Sequence, residues 1–329
     1  KITNRDGSAG TQIAGISTFS GTSGMQLPVG ATEYRGGRGR GVFGSGSTPS
    51  NTKNLDMIEI ATTGNGTDFG DDSVDGRKEG NASFASSTRG IWAGGYHPAS
   101  LTGIIYTTIS STGGCANFGD LQVAKHGVAG VSDRTRGLAG GGSPGHTNVI
   151  QYVTIASTGD ATDFGDLSYN ASFLGGGIMD ATRGFFHGGS PSPFHNIIEY
   201  VTVQTTGSLS DFGDLAAART CHTGYSNTTR GLIGGGQNPA NINSIEYITL
   251  STAGNGTDFG DYNNAVDYMG SCANATRGVI GGGQLQDGTK LNVIEYNTIE
   301  TTGNATNFGD LQNTRRFCMG FSDCHGGLG

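Results

Sequence analysis

The sequence predicts an all-β protein: a six-bladed β-propeller of four-stranded blades, closed by pairing of the C-terminal strand with the first blade. Three observations predict it: a repeat, four strand-like runs in each copy, and a glycine content that helices do not tolerate. The triplet Thr-Arg-Gly recurs at Arg89, Arg136, Arg183, Arg230 and Arg277; the first step is 47 positions and the later three are the same. Arg40, in Gly-Arg-Gly, leads the series, and Phe-Gly-Asp recurs at Phe69, Phe118, Phe164, Phe212, Phe259 and Phe308. A period of this size belongs to solenoids, propellers and arrays. Gly accounts for 61 of 329 residues, and each Gly inside a helix costs about 1 kcal/mol relative to Ala.

The fourth copy shows the elements in order. Arg183-Gly-Phe-Phe-His-Gly-Gly is an apolar strand running into a turn. His195-Asn-Ile-Ile-Glu-Tyr-Val-Thr-Val follows, with the alternation of a half-buried strand. Ser210-Asp-Phe-Gly-Asp-Leu and Thr220-Cys-His-Thr-Gly-Tyr supply two more runs, separated by Gly, Pro, Asn and Ser clusters. Four strands per copy is the proportion of a propeller blade. The first copy enters at its second strand, while the chain closes on an unaccompanied first strand, Arg316-Phe-Cys-Met-Gly-Phe-Ser. The last strand therefore completes the first blade and removes an open sheet edge. Residues 36–329 form the propeller. Residues 1–35 do not repeat and read as a linker or anchor, or as part of a seventh blade in the alternative count. The opening Lys1 reads as the start of a processed chain or of a piece of a longer one.

The residues at this point resemble kelch repeats. Gly-Leu-Ala-Gly-Gly-Gly142 is followed by Tyr152 and Phe164, and Gly-Leu-Ile-Gly-Gly-Gly236 by Tyr247 and Phe259, with Phe where a kelch blade usually has Trp. The wording of the repeats, with Asn-Val-Ile-Glu-Tyr and Thr-Asp-Phe-Gly-Asp, is similar to Gly-rich repeat proteins of marine bacteriophages. That resemblance implies a virion or tail-fibre component, located on the extracellular particle or otherwise secreted. Its partners would be other virion proteins and a host-surface glycan or protein; a homo-oligomer is compatible with it.

Several motifs carry chemistry elsewhere and scaffolding here. Gly39-Arg-Gly-Val-Phe-Gly matches a dinucleotide fingerprint, yet it aligns with five other strand copies and no helix follows. Asp-Phe-Gly occurs four times, without the lysine strand and catalytic loop that kinases need. The Asp pairs, such as Asp163 with Asp166, recur around the ring and read as turn capping rather than calcium ligands. The Arg series and the Thr-Asp-Phe turns fall on one face, where Arg–Asp pairs would stitch neighbouring turns; an Arg-lined mouth for an anionic group is the alternative. The seven Asn-x-Ser/Thr matches follow from composition, and the five Cys read as free thiols, with Cys318 and Cys324 the one local pair.

The opposite face is where the copies differ. Its loops supply the contact candidates Tyr96, His97, His146, Phe194, His195 and Asn238, because variable loops on a rigid scaffold are a common recognition surface. His97, His146 and His195 fall in successive blades at similar depth, so a metal triad is a minor reading. A net charge of −8 argues against nucleic acid, and the short apolar runs argue against membrane insertion. No cofactor is expected. The leading reading is a non-enzymatic virion structural or host-attachment protein. A lectin with several similar sites between blades is the alternative. A copper oxidase on a kelch-like ring is third, lacking the Tyr, Cys and paired His that such enzymes gather at the axis.

Overall fold

The computed structural model describes residues 39–47, 53–72 and 79–324; the readings on residues 1–35, on the loop through Pro49 and on the final His325 to Gly329 lie outside these. The six expected blades are present, each an antiparallel sheet of four strands. The inner strands are Met319–Ser322, Ala82–Ala85, Ala129–Ser132, Gly175–Met179, Thr223–Ser226 and Gly270–Ala273. Each lies beside the next, and the sixth lies beside the first, so the ring is closed. The seal is as anticipated: Met319–Ser322 pairs antiparallel with Arg40–Gly44, placing Phe321 opposite Val42 and Met319 opposite Gly44.

The second strand of every blade is buried from the Gly after its half-buried Arg onward. Neighbouring blades cover both of its faces, so it reads as a continuous apolar run rather than an alternating one. The third strand departs from the expected alternation in one respect. Glu199, Glu246 and Glu295 are buried, because each carboxylate accepts a backbone N–H from the preceding blade: Ser168 to Glu199 at 3.2 Å, Ala216 to Glu246 at 2.7 Å and Asn263 to Glu295 at 3.2 Å. Asp56 does the same for Gln312 across the seam, at 3.3 Å.

The Phe-Gly-Asp marker is a bulge. In blade one Leu55 pairs with Gly70 and Asp56 with Asp68, leaving Phe69 as the extra residue; Phe118, Phe164, Phe212, Phe259 and Phe308 repeat this. A bulge re-aims one side chain, and here it turns each Phe into the core, where five of the six meet a Tyr of their own blade edge-on at 5.9–6.2 Å. The Gly that follows has no room for a side chain: a Cβ on Gly119 would stand 2.2 Å from the Gly159 carbonyl oxygen of the next blade.

At the axis the inner strands approach backbone to backbone. A Cβ on Gly130 would fall 2.4 Å from the Ser83 carbonyl oxygen, and one on Gly176 would fall 2.5 Å from that of Gly130. The axial cavity is about 100 Å³, room for several waters rather than for an organic ligand.

Candidate binding face

The propeller has one uniform face and one differentiated face. On the uniform face the second-strand Arg residues form a closed ring, each reaching a carbonyl at the end of the next blade's third strand. Arg40 donates to Ile109 at 2.8 Å, Arg89 to Ile155 at 3.1 Å, Arg136 to Val203 at 3.1 Å and Arg230 to Ile299 at 3.1 Å. Arg183 donates to Leu250 in the same way, and Arg277 closes the ring on Ala61 at 2.8 Å. Five of these guanidinium groups also lie over a Tyr of their own blade, at 4.2–5.2 Å. The expected Arg–Asp stitching is therefore corrected: the Arg residues do join neighbouring blades, but through backbone carbonyls, while the aromatic face beneath five of them belongs to their own blade.

The Asp pairs are corrected likewise. Among the described residues, the backbone N–H of the second Asp is capped by a side chain from the next blade's turn: Asp120 by Asp160, Asp214 by Asn255, Asp261 by Asn304 and Asp310 by Asn65, all at 3.0 Å. Three Asn that seemed compositional thus carry a defined structural role. The Asp that precedes Thr-Arg-Gly caps its own turn, as Asp133 does for Thr135 and Arg136 at 2.7 Å. Burial raises the Asp133 carboxyl, but hydrogen bonds from Gln204, Arg136 and Thr135 outweigh it and hold the group below its ordinary value.

The differentiated face carries the loops between second and third strands and those leading into the next inner strand. It is organised as three concentric rings, and no two blades repeat the same set. The innermost positions are Gly80, Gly127, Phe173, Cys221, Tyr268 and Phe317, all with left-handed backbone (φ 51–63°). A head-to-tail run of backbone hydrogen bonds imposes that conformation: Phe173 N–H to Gly127, Cys221 to Phe173 and Tyr268 to Cys221, at 2.7–2.9 Å. Gly adopts it freely; Phe, Cys and Tyr are strained there by about 1–3 kcal/mol each. The three aromatic rings close over the axis. Tyr268 lies 3.9 Å from Phe317, and Phe173 lies 6.3 and 6.2 Å from the two, filling the space above the side-chain-free Gly127.

Around them stand Glu79, His126, Ser172, Thr220, Asp267 and Arg316, one from each blade. Four of these bridge antiparallel to the outer ring: His126 to Ser143, Ser172 to Ser190, Thr220 to Gln237 and Asp267 to Gln284. Arg316 bridges Ser47, covers Phe317 at 5.1 Å, and donates to Glu79 at 3.4 Å and Gln284 at 3.2 Å. Burial raises the Asp267 carboxyl to about 6, against its own backbone N–H, Arg316 and Asn241.

The candidates named from the sequence all lie in loops of this face. Tyr96 is exposed and packs edge-on against His126 at 5.1 Å; His97 is exposed beside it. His146 shares a hydrogen bond with Ser172 at 2.8 Å and stands close enough to His195 to lower its pKa, second to burial. His195 stacks on Tyr169 at 4.5 Å, Phe194 is half-buried, and Asn238 donates to the Ala218 carbonyl at 2.6 Å. No metal-holding group of three His, Cys, Asp or Glu exists among the described residues, so His97, His146 and His195 do not converge. All five Cys are buried thiols outside any disulfide.

The two inner rings escaped the sequence reading, which placed all variation in the loops after Gly-Gly. The signal was available: nine positions before the repeat Arg stand Gly80, Gly127, Cys221 and Tyr268, and a Gly position taken by Cys or Tyr marks a special backbone.

Neither a known family model nor a curated protein matches this chain; the β-propeller of repeated four-stranded blades rests on the structure itself.

Proposed function

We propose that this chain is a non-enzymatic attachment module, a kelch-like propeller borne on a virus particle, with the differentiated face as its contact surface. The observation that supports this reading is the contrast between the faces. One repeats the same Arg and turn contacts in every blade, as a scaffold does; the other presents a different residue set from each blade on the same rigid backbone. The similarity of the repeat wording to bacteriophage Gly-rich proteins supports the virion setting. Mass spectrometry and immunogold labelling of purified particles of the virus that encodes it test the reading. The expected result is labelling on an appendage, with adsorption blocked by an antibody raised against the Tyr96 and Phe173 face. Particles that never contain the chain would sink it.

A lectin is the second reading, favoured by one feature: half-buried aromatic rings at the centre of a face rich in hydroxyl and amide groups. That composition suits ligands with alternating apolar and hydroxyl surfaces.

A further inference from the structure

We infer that the differentiated face holds a single binding track for a neutral oligosaccharide, crossing from the rim of blade two to the axis, rather than six equivalent sites between blades. The inference rests on the reading of this face as the contact surface and names the ligand class.

The track is built from four rings in succession. Exposed Tyr96 meets His126 at 5.1 Å, His126 meets Phe173 at 5.7 Å, and Phe173 meets Tyr268 at 6.3 Å. Phe317 lies buried beneath Tyr268 and supports it. Phe173 and Tyr268 hold their places in strained backbone where two other blades have Gly, and strain of this kind clusters at ligand clamps. His126 is held by Ser100 at 2.9 Å, and burial lowers its pKa, against Glu79 and with Lys125, so it enters the track as a neutral ring.

The surroundings select among partners. The polar groups along the track are Gln237 and Gln284, together with His146, which the fully buried Ser172 holds at 2.8 Å. Among the described residues the one guanidinium there, Arg316, is already bound by Glu79, Gln284 and Ser47, and the Lys125 ammonium donates to the Pro144 carbonyl at 3.1 Å, so an anionic ligand gains little from either. Tyr96 and Val123 are the only exposed large hydrophobic residues among those described, which is too little apolar surface for a stable protein interface. Single-stranded nucleic acid also stacks on aromatic rows, but it needs a cationic groove and the chain carries a net charge of −8. A neutral sugar chain uses both features present: apolar ring faces against aromatic rings, and hydroxyls against amides and hydroxyls. The axial cavity is too small for a sugar, so the ligand lies across the mouth. One track per ring follows, because among the described residues no other blade repeats this row.

The test is a printed array of neutral, anionic and amino-bearing oligosaccharides, followed by calorimetry of the hits on the whole chain. The expected result is binding to neutral oligosaccharides at one per chain, tighter for longer chains, and weakened at least tenfold by Tyr96→Ala and by Phe173→Gly. Phe173→Gly restores the residue that blades two and three carry at that position, so the backbone accepts it, and circular dichroism with thermal melting verifies the fold. Binding near six per chain, binding unaffected by both variants, binding confined to anionic or amino-bearing sugars, or an array with no signal would each overturn the inference. The attachment reading fails separately, if particle labelling and antibody blocking fail; a silent array with intact blocking would leave attachment standing and point to a protein receptor.

Discussion

At the residue scale, the glycine of Thr-Arg-Gly shows how a fold-specific requirement is written. Each blade sends an inner-strand side chain against the next blade's Gly: Phe321 against Gly90, Phe84 against Gly137, and Tyr225 against Gly278, where a Cβ would stand 1.9–2.1 Å from the ring. Gly254, by contrast, has nothing within 4 Å of its Cβ position. Gly90→Ala should therefore cost about 3 kcal/mol through forced displacement of a packed ring, while Gly254→Ala should be neutral or slightly stabilising by restricting the unfolded chain. Urea denaturation midpoints of the two variants check this; equal midpoints would contradict the packing described. The sequence showed that Arg and Gly recur for geometry, yet not what they touch. The Arg partners are backbone carbonyls, which every residue has, so no side-chain pattern could announce them.

At the element scale, the interface between blades four and five holds a buried histidine pair. His187, on the second strand Arg183–His187, and His222, just before the inner strand Thr223–Ser226, share a hydrogen bond at 2.8 Å. Burial lowers the His187 pKa to about 3, helped by Arg219, and lowers that of His222 well below its ordinary value, helped by His187 and Arg219. Both groups fold neutral, so their contribution to stability is intact above the unfolded value near 6.5 and is lost as pH falls toward 3. Asp267 and Asp323 act in the opposite sense: burial raises each to about 6, so they favour the folded state as pH falls from 6 toward 3.8. Comparing slopes cancels that term. His222→Gln should flatten the decline in stability between pH 6 and pH 4 by about 1.4 kcal/mol per pH unit relative to the parent chain. Equal slopes in the two proteins, measured by chemical denaturation across that range, would contradict a buried neutral pair. No repeat pattern announces this pair: His187 stands where the other blades carry Gly or Ala, and His222 where they carry Asn81, Val128, Leu174, Met269 and Cys318.

At the scale of the whole molecule, the repeat phase made the architecture legible: six Arg, six Phe, an entry at the second strand and a lone strand at the end. The candidate site was half legible. Its face and its rim residues followed from loop variation, whereas the aromatic centre did not, since its left-handed backbone arises only when six inner strands meet around one axis. The ring is joined at every interface by the same bonds, including the seam between blades six and one. There Gly64 donates to Phe308 at 2.9 Å and Gly66 to Asp310 at 2.8 Å, matching Gly159 to Phe118 and Ala161 to Asp120, both at 2.8 Å, between blades two and three. The place where neighbouring strands of a blade are not joined by a turn lies inside blade one, between Met319–Ser322 and Arg40–Gly44, and four register pairs close it. Amide hydrogen exchange over Met319–Ser322 tests this most directly. The expected result is protection equal to that of Thr223–Ser226, an inner strand joined to its blade by a covalent turn; exchange of the terminal strand at the rate of an unpaired tail would contradict a sealed ring.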